Sequence, residues 1–541
     1  FADPTGFHGW IIVNGNAEAK GRARPAAWVE PRIPRARRDL PPEGMRQRWR
    51  AMGSGPFCKW IRRQKKALVT DTSMRDAHQS LLATRLRTFD MLRIAPVYAR
   101  NVPNLFSLEM WGGATFDVAM RYLGEDPWDR LVRLREAVPN ILFQMLIRGA
   151  NAVGYTAYPD NVVKAFIRQS VKSGIDVFRI FDSLNNVSQM RRAIEAVRDA
   201  GGLAEGALCY TGDIDDPGRP KFDLRYYVGL AREIEKAGSE ILGIKDMSGL
   251  LKPYAARRLI LALRGEVDLP IHLHTHDTSG IQAATLVKSL DAGVDIIDAA
   301  MASMSGLTSQ PNINSMVAVL RGQTMDTGLP IEELNEISQY WEDVQTFYAP
   351  FEAQIRSGTA EVYEHEIPGG QYSNLKPQAE VMGLGARLGE LKKMYATVNR
   401  MFGDIVKVTP SSKVVGDMAC FMLANNLTEQ DVYDRGRELA FPESVVGFFR
   451  GELGRPTGGF PGELRKIVLR GRKPLRSPKL PPADFAGTRS EVEKKIRRKI
   501  RDEELLSYFM YPKIFLDCAD RQAEYGNVGV LPTPVFFYGM Q

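Results

Sequence analysis

Cysteine is scarce in this chain, and its positions exclude two common kinds of scaffold. The 541 residues contain four cysteines, none in a CxxC pair, at Cys58, Cys209, Cys420 and Cys518. A disulfide framework or a zinc ribbon needs cysteines that recur at short spacing, so we expect neither. The pattern is typical of a protein in a reducing compartment, and bacterial cytoplasm and mitochondrial matrix both fit.

Long apolar runs are also missing. No stretch of about 18 consecutive apolar residues occurs, so the sequence predicts no membrane-spanning helix and no membrane partner. The content of 44% hydrophobic and 25% charged residues is ordinary for a folded globular protein. The chain begins with Phe1 rather than methionine. We interpret it as a piece of a longer polypeptide, which hides any targeting signal.

Basic residues outnumber acidic ones by 72 to 64, which gives a net charge of +8. The excess lies mainly in the first 66 residues, and a second basic patch covers 494–499. Proteins that bind nucleic acid usually interleave such charges with aromatic residues, and neither patch shows that pattern clearly. We therefore interpret both patches as solvated surface and expect no nucleic-acid partner.

Between residues 66 and 305, short apolar runs alternate with longer amphipathic segments. Eight of these runs are strand-like, at 67–70, 105–109, 141–145, 177–180, 204–208, 241–244, 271–274 and 296–298. Eight strand-plus-helix units are the signature of an α/β fold, the (β/α)8 TIM barrel. After residue 330 the strand pattern stops and helical segments dominate, which predicts a separate, mainly α-helical domain.

On this basis we divide the chain into four parts. They are an irregular linker at 1–55, the barrel at 56–330, the helical domain at 331–480 and a C-terminal segment at 481–541. Both end parts contain stretches rich in proline and arginine, which is typical of linkers between domains. Within them we predict a short strand at 10–13 and a charged helix at 491–506.

Three of the six histidines lie at alternate positions of the run HLHTHD, at the end of the seventh predicted strand. Alternate residues of a strand share a face, so His272, His274 and His276 point the same way. Two or three imidazoles that converge at a strand end favour a metal site over ordinary buried histidines.

A metal needs further ligands, and two candidates follow other strands. Asp76 comes just after the first strand, and in a closed barrel strands one and seven are separated by one neighbour. Lys245 ends the sixth strand and could join the metal only as a carbamate. From the residues alone, an ion pair with a nearby aspartate explains Lys245 equally well. A set of two nitrogens and two oxygens suits Zn²⁺ or Mn²⁺ more than Mg²⁺ or Ca²⁺.

Polar residues gather at six of the eight predicted strand ends, where the active sites of TIM barrels lie. Among them, Arg148 at the end of the third strand can hold a small carboxylate in a two-pronged contact. A metal could polarise a carbonyl oxygen beside it. Together these groups describe a pocket for a 2-oxo acid. A surface salt bridge is the alternative for Arg148, and the apolar residues before it argue against that.

Several longer motifs carry a resemblance to a known family. They include DTSMRDAHQSLLATR, EMWGGATFDVAMRYLGEDPW, LIRGANAVGYTAYPDN, GIKDMSGL, HLHTHDTSG, HEIPGGQYSNL and DIVKVTPSSKVVGDMA. These segments resemble the carboxyltransferase region of the pyruvate carboxylase family, over nearly the whole chain from about Trp10 to Tyr538. The resemblance implies a TIM barrel followed by a helical funnel, with end segments that belong to an inter-domain, allosteric region.

The resemblance also implies a reaction and its partners. The reaction is the transfer of CO2 from carboxybiotin to pyruvate, which gives oxaloacetate. Biotin would arrive on a carrier domain and ATP would be used by a biotin carboxylase domain, neither of which is in this chain. The family further implies a homo-oligomer, a dimer of this region within a tetramer of the full enzyme.

The residues that match the family's motifs take their roles from the resemblance. It implies metal ligation by Asp76, His274, His276 and a carboxylated Lys245. It implies pyruvate held by Arg148 and Gln79, with Arg75 in the same pocket, and a proton shuttle at Thr409. It implies a biotin entrance lined by Asp117, Tyr155, Ser412 and Lys413.

Two other functions stay open from the sequence. One is a different metal-dependent lyase on the same barrel, such as an oxaloacetate decarboxylase subunit or a Claisen-type enzyme. A Claisen-type enzyme would lack the pair Lys245 and Thr409. The other is a non-catalytic scaffold, which would be free to lose metal ligands, yet all four are present.

Overall fold

The computed structural model describes residues 7–19, 29–475 and 480–540. Eight parallel strands form a closed barrel in chain order. They are β1 Leu68–Asp71, β2 Ser107–Trp111, β3 Leu142–Arg148, β4 Val177–Phe181, β5 Leu203–Cys209, β6 Ile241–Asp246, β7 Ile271–Thr275 and β8 Ile296–Ala299. The barrel closes where β1 pairs with β8, from Leu68 opposite Ile296 to Asp71 opposite Ala299. The predicted fold class and all eight strands are confirmed.

Helices surround the barrel. Before β1 lie α1 Phe7–Asn14, α2 Met45–Met52 and α3 Ser54–Arg63. Among and after the strands lie α4 His78–Leu81, α5 Thr88–Asn101, α6 Gly113–Val118, α7 Pro127–Ala137, α8 Asp160–Ser173, α9 Val187–Asp199, α10 Leu224–Lys236, α11 Pro253–Glu266, α12 Gln282–Asp291 and α13 Ile313–Leu320. Several begin at a residue whose side chain accepts the first free backbone N–H groups, such as Asp126 before α7 and Asp223 before α10.

The N-terminal end of the barrel is sealed by apolar side chains. Seven of them come from the strand starts and the residues beside them, and others come from α2 and α3. The cluster comprises Trp49, Phe57, Cys58, Ile61, Leu68, Phe106, Leu142, Val177, Leu203, Ile241 and Ile296. Parallel strands in a closed barrel are covered on both faces, which is why they read as continuous apolar runs. We call this set the apolar plug.

Beyond the barrel the chain is helical. The helices are α14 Ile331–Gln345, α15 Val362–His365, α16 Gly369–Val381, α17 Leu388–Met401, α18 Ser411–Ala424, α19 Glu429–Arg435, α20 Glu443–Arg450 and α21 Gly462–Leu469. Buried residues of α14, such as Leu334 and Trp341, belong to the core of the barrel. Those of α17, α18 and α20 enclose a second core around Leu391, Val415 and Phe448.

The C-terminal segment contains α22 Phe485–Ile496, α23 Asp502–Met510, α24 Pro512–Tyr525 and α25 Thr533–Tyr538. The predicted continuous helix at 491–506 is therefore wrong. The helix stops at Ile496 because Arg497 takes a left-handed conformation, with φ of 55°. None of the described helices has both the length and the apolar composition that a membrane span requires.

The predicted strand at 10–13 is also wrong, because these residues lie in α1. This end of the chain packs on α25 rather than along a sheet edge. The backbone N–H of Asn16 donates to the carbonyl oxygen of Phe537 at 3.2 Å, and that of Met540 donates to the carbonyl of Ile12 at 2.6 Å. A short apolar run is compatible with a strand or with a helix. Here the packing against α25 favours the helix.

Candidate active site and metal centre

Asp76 reaches the barrel mouth from an unusual turn after β1. Asp71 ends the strand and accepts hydrogen bonds from the backbone N–H of Ser73 and the hydroxyl of Tyr98, both at 2.9 Å. The chain then forms one π-helical turn, Ser73–Ala77, and such turns are frequent at functional sites. Within this turn Asp76 is buried.

His274 and His276 come from β7 and its end, and they meet Asp76. The Oδ2 atom of Asp76 is 3.2 Å from Nε2 of each histidine. The two Nε2 atoms are themselves 3.2 Å apart. All three side chains are buried, and within the described ranges this is the one group of His, Cys, Asp and Glu atoms close enough to share a metal ion. We call it the ligand triangle.

The contacts behind the triangle fix which atoms face its centre. Nδ1 of His274 lies 2.7 Å from Oδ2 of Asp298, and Nδ1 of His276 lies 2.6 Å from the carbonyl oxygen of Thr308. A carboxylate and a carbonyl only accept, so each ring donates from Nδ1 and turns the lone pair of Nε2 toward Asp76. Arg179 and His272 outweigh burial and hold the pKa of Asp298 well below its usual range, which keeps it an acceptor.

Three acceptor atoms that face one another at 3.2 Å repel unless a cation lies among them. Ligand bonds of about 2.0–2.1 Å place neighbouring ligands about 2.9–3.4 Å apart, the lower value for octahedral and the upper for tetrahedral geometry. Burial raises the pKa of Asp76, but Arg75 and His276 outweigh it and hold that pKa well below the usual range. The donor set therefore fits a divalent metal.

Lys245 lies beside the triangle. It is the next-to-last residue of β6, where it pairs in register with His274, and it is 3% exposed. Burial lowers the pKa of Lys245, with Arg75 and Arg179 acting in the same direction and Asp76 opposing them. A lowered pKa leaves more of the amine neutral, which is the form that reacts with CO2. Its carboxylation stays a prediction.

His272 does not join the triangle. Its Nδ1 lies 2.8 Å from Oε2 of Glu205 and its Nε2 lies 2.5 Å from Oδ1 of Asp298, while Arg179 pairs with both carboxylates. Burial lowers the pKa of His272, but Glu205 and Asp298 outweigh it and raise that pKa. The structure thus brings two of the three alternating histidines to the mouth and holds the third within a charged layer below them.

Arg75 and Gln79 border the triangle. One guanidinium nitrogen of Arg75 donates to Oδ1 of Asp76 at 2.8 Å and to Oε1 of Gln79 at 3.2 Å, and the other pairs with Glu109. Gln310 donates from Nε2 to Oδ2 of Asp76 at 2.9 Å. Sequence reasoning missed Glu109, Gln310, Asp298 and Thr308. Glu109 and Asp298 could have been found from the sequence, because each is an acidic residue within an otherwise apolar strand.

Arg148 lies at the end of β3 and is held by the loop that follows. Its Nη1 donates to the carbonyl oxygens of Val153 at 2.9 Å and Gly154 at 2.8 Å. Its Cζ lies 5.0 Å from the centre of the Tyr155 ring. A side chain at Gly113 would place Cβ 2.5 Å from Nη1 and 2.6 Å from the backbone carbonyl oxygen of Val153. Because the backbone cannot easily move away, only glycine fits there. The buried Nε has no hydrogen-bond partner in the described part of the chain.

The segment Gly369–Gln371 crosses the mouth and joins the triangle to the helical region. A Cβ on Gly369 would lie 2.9 Å from Nδ1 of His276, and one on Gly370 would lie 3.6 Å from Nε2 of Gln79. Gln371 then donates from Nε2 to the carbonyl oxygen of Ser412 at 2.8 Å. The buried hydroxyl of Ser412 has no hydrogen-bond partner among the described residues.

Thr409 is half-buried in the segment before α18, which is anchored to two strand ends. Ser411 donates from Oγ to the carbonyl oxygen of Ser183, after β4, at 3.1 Å. Lys407 donates from Nζ to Oγ1 of Thr211, after β5, at 3.0 Å and pairs with Glu366 at 2.7 Å. These contacts place Thr409 on the mouth side of the barrel.

The remaining two predicted site residues pair within their own helical segments. Asp117 contacts Nε of Arg121 at 2.9 Å, and Lys413 contacts Oδ2 of Asp417 at 2.5 Å. The side chain of Lys413 is 61% exposed, and Tyr155 is 40% exposed. Among the described residues, neither of these ion pairs joins Asp117 or Lys413 to the triangle.

A closed barrel of eight parallel strands with an Asp–His–His donor set at its carboxyl end defines a metal-dependent TIM-barrel enzyme. Two family models match, an HMGL-like domain over residues 170–340 and a conserved carboxylase domain over 362–541. The carboxyl transferase domain of Rhizobium etli pyruvate carboxylase superposes with a TM-score of 0.97 at 52% identity, covering 99% of this chain and 90% of that one. The chain belongs to the pyruvate carboxylase family, as the sequence motifs predicted.

Curated relatives are longer than this chain. Pyruvate carboxylase of Bacillus subtilis (strain 168) is 54% identical over 503 residues, which is 92% of this chain and 44% of the relative. Mitochondrial pyruvate carboxylase of Homo sapiens is 47% identical over 540 residues, 98% of this chain and 46% of the relative. The chain thus spans less than half the length of these relatives.

Proposed function

We propose that this chain catalyses the carboxyltransferase half-reaction, in which CO2 passes from carboxybiotin to pyruvate and oxaloacetate forms. The arrangement at the barrel mouth carries the proposal, because the ligand triangle and Arg148 follow strands of one closed sheet. The solved relatives support it, since they include the R. etli carboxyl transferase domain with pyruvate and with pyruvate and biocytin.

Arg148 is the proposed grip for the carboxylate of pyruvate. Its Nη1 is committed to two loop carbonyls, whereas its buried Nε has no protein partner in the described residues and can donate to a substrate. A planar guanidinium matches a planar carboxylate and fixes its orientation. Gln79 is a second contact, oriented by its hydrogen bond from Arg75.

The ligand triangle and Lys245, as a carbamate, are the proposed metal ligands, and Zn²⁺ or Mn²⁺ suits them. When bound, the metal would draw electron density from the keto group of pyruvate and so acidify its methyl protons. The residues behind the triangle do the positioning: Asp298 and Thr308 hold the two rings, and Gln310 holds the Asp76 carboxylate.

Thr409 is the proposed proton relay. Its hydroxyl takes a proton from the pyruvate methyl group and gives its own to the biotin ring, from which CO2 has departed. The carbon that lost the proton forms the new bond to CO2. A threonine hydroxyl is a poor base in water, so proton gain and loss must be coupled. Asp117, Tyr155, Ser412 and Lys413 are proposed to receive biotin.

The wider assembly is also a proposal. The carboxyl carrier domain and the ATP-using biotin carboxylase domain would be parts of the longer polypeptide, as the length of the relatives suggests. The chain would act as a dimer within a tetramer. It would work in bacterial cytoplasm, or in the mitochondrial matrix if its source is eukaryotic.

The test is decarboxylation of oxaloacetate by this chain with free biotin as the acceptor. We expect biotin-dependent pyruvate formation, about one bound divalent ion per chain and loss of activity with a chelator. Thr409→Ala should keep the metal and the melting temperature but lose activity. Wild-type-like turnover by Thr409→Ala would refute the relay, and biotin-independent or chelator-resistant turnover by the wild type would refute the proposed function.

A further inference from the structure

The junction between α23 and α24 packs on the loop that holds Arg148. Tyr511 lies at this junction outside the helical region, with φ of −146° and ψ of 71°, and Pro512 begins the next helix. It is 6% exposed. Its hydroxyl donates to the carbonyl oxygen of Val153 at 2.6 Å. Next to it, the hydroxyl of Tyr158 donates back to the carbonyl of Met510 at 2.7 Å.

The carbonyl of Val153 therefore has two donors. One is Tyr511, from the C-terminal segment, and the other is Nη1 of Arg148 at 2.9 Å. This carbonyl and that of Gly154, to which Nη1 also donates at 2.8 Å, together orient the guanidinium plane. A carboxylate grip depends on that plane, because its two N–H groups must face two oxygens together.

Tyr511 also lies close to two other residues that surround the guanidinium, Gly113 and Tyr155. Its hydroxyl is 3.5 Å from the carbonyl oxygen of Gly113, the residue that Arg148 approaches too closely for any side chain. Its ring centre is 6.4 Å from that of Tyr155, which lies against Cζ of Arg148. Burial raises the pKa of Tyr511 well above its ordinary value, so the hydroxyl stays a donor at any working pH.

We propose that Tyr511 is a positioning residue for Arg148: by fixing the Val153 carbonyl, it sets the orientation in which the guanidinium holds the carboxylate of a 2-oxo acid. The proposal rests on the proposed function of Arg148. It gives the C-terminal helices an indirect part in substrate affinity, through Val153 and Arg148, although no residue beyond 480 is predicted to belong to the site.

The experiment is Tyr511→Phe in this chain, which keeps the ring and removes one hydroxyl. Pyruvate binding is measured by titration calorimetry, and oxaloacetate decarboxylation with free biotin gives KM and kcat. We expect the Kd for pyruvate and the KM for oxaloacetate to rise about fivefold, as for loss of one hydrogen bond, with kcat within about twofold. Metal content should not change.

The matched control is Tyr538→Phe. Tyr538 is also buried in the C-terminal segment, and its hydroxyl also donates to a backbone carbonyl, that of Phe347, at 2.8 Å. We expect it to leave Kd and KM unchanged. In an Arg148→Lys background, Tyr511→Phe should add less than about twofold, because both act through one grip.

One result overturns the proposal while the proposed function stands, and it is unchanged pyruvate affinity in Tyr511→Phe. If the melting temperature and kcat fall while Kd stays the same, Tyr511 is a purely structural residue. Failure of the wild-type chain to bind pyruvate in the calorimeter would instead refute the proposed function itself, and the proposal with it.

Discussion

The two ends of the barrel are built from the same eight strands but hold opposite kinds of side chain. At the N-terminal end the plug residues are apolar and are packed under α2 and α3. At the carboxyl end, Arg75, Asp76, Lys245, His274 and His276 are all buried, each at most 3% exposed. The apolar end therefore contributes mainly to the stability of the fold, and the charged end contains the residues of the active site.

The physical reason lies in how each end meets its needs. Apolar side chains gain free energy by leaving water and need no specific partner. Buried charges need a matched partner for every donor and acceptor. At the mouth such partners come from distant parts of the chain, including Thr308 and Gln310 in the loop after β8. Substitutions at the mouth should therefore reduce metal binding and activity, whereas substitutions in the plug should reduce stability.

The largest expected effect is loss of the metal at the mouth. Asp76→Asn keeps the shape of the side chain but removes the anionic ligand oxygen. We expect the bound metal to fall well below one per chain and decarboxylation of oxaloacetate to fall by at least about a thousandfold. The melting temperature of the metal-free protein should change little, because Arg75 keeps its pair with Glu109. Full activity in a variant with no bound metal would contradict the assignment of the triangle.

The opposite behaviour is expected for the plug. Phe57 is fully buried and stacks on Trp60 and Phe106, with ring centres 5.6 Å and 6.3 Å away. Phe57→Ala should lower the free energy of unfolding by about 3–5 kcal/mol. KM and kcat measured well below the melting temperature should stay within about twofold of the wild type.

The control for that substitution is Leu261→Ala on α11, where the side chain is 46% exposed. It should change stability by less than about 0.5 kcal/mol. If Phe57→Ala altered KM as strongly as it altered stability, the two ends of the barrel would be coupled and the separation drawn above would be wrong.

The same contrast explains what the sequence could predict. The eight strands were predictable because each is a local run of apolar residues with a turn after it. His274 and His276 were predictable because they alternate on one strand, and Asp76 because it follows another. The family motifs then added Lys245 and Thr409, for which the residues alone gave no decisive role.

The depth at which each histidine side chain lies within the barrel was not predictable. His272 has the same spacing as the two ligand histidines, but it pairs in register with Gly243 and Ile296, one layer below the mouth. Its partners Glu205 and Asp298 lie 67 and 26 residues away. Contacts between distant segments, such as that of Tyr511 with Val153, leave no local sequence pattern. The wrong strand prediction at 10–13 has the same cause, because the partner of these residues is α25 at the other end of the chain.

The smallest expected effect concerns pH and again separates the two ends. His365, just before the segment that crosses the mouth, accepts on Nδ1 a hydrogen bond from the backbone N–H of Ile367 at 3.0 Å. Burial, reinforced by Lys392, lowers the pKa of His365 to about 4. Between pH 6.5 and pH 4, His365 is therefore protonated in the unfolded chain but neutral in the folded chain. The contribution of neutral His365 to stability is present above pH 6.5 and is lost as the pH falls toward 4.

The measurement is the melting temperature at pH 7.5 and at pH 5. His365→Asn keeps an acceptor near Ile367 but cannot titrate, so the variant should lose less stability on acidification than the wild type, by up to about 1.4 kcal/mol per pH unit below 6.5. Phe57→Ala should shift both melting temperatures equally, because Phe57 carries no titratable group and lies at the other end of the barrel. An identical pH dependence in His365→Asn and the wild type would mean that protonation of His365 does not oppose folding.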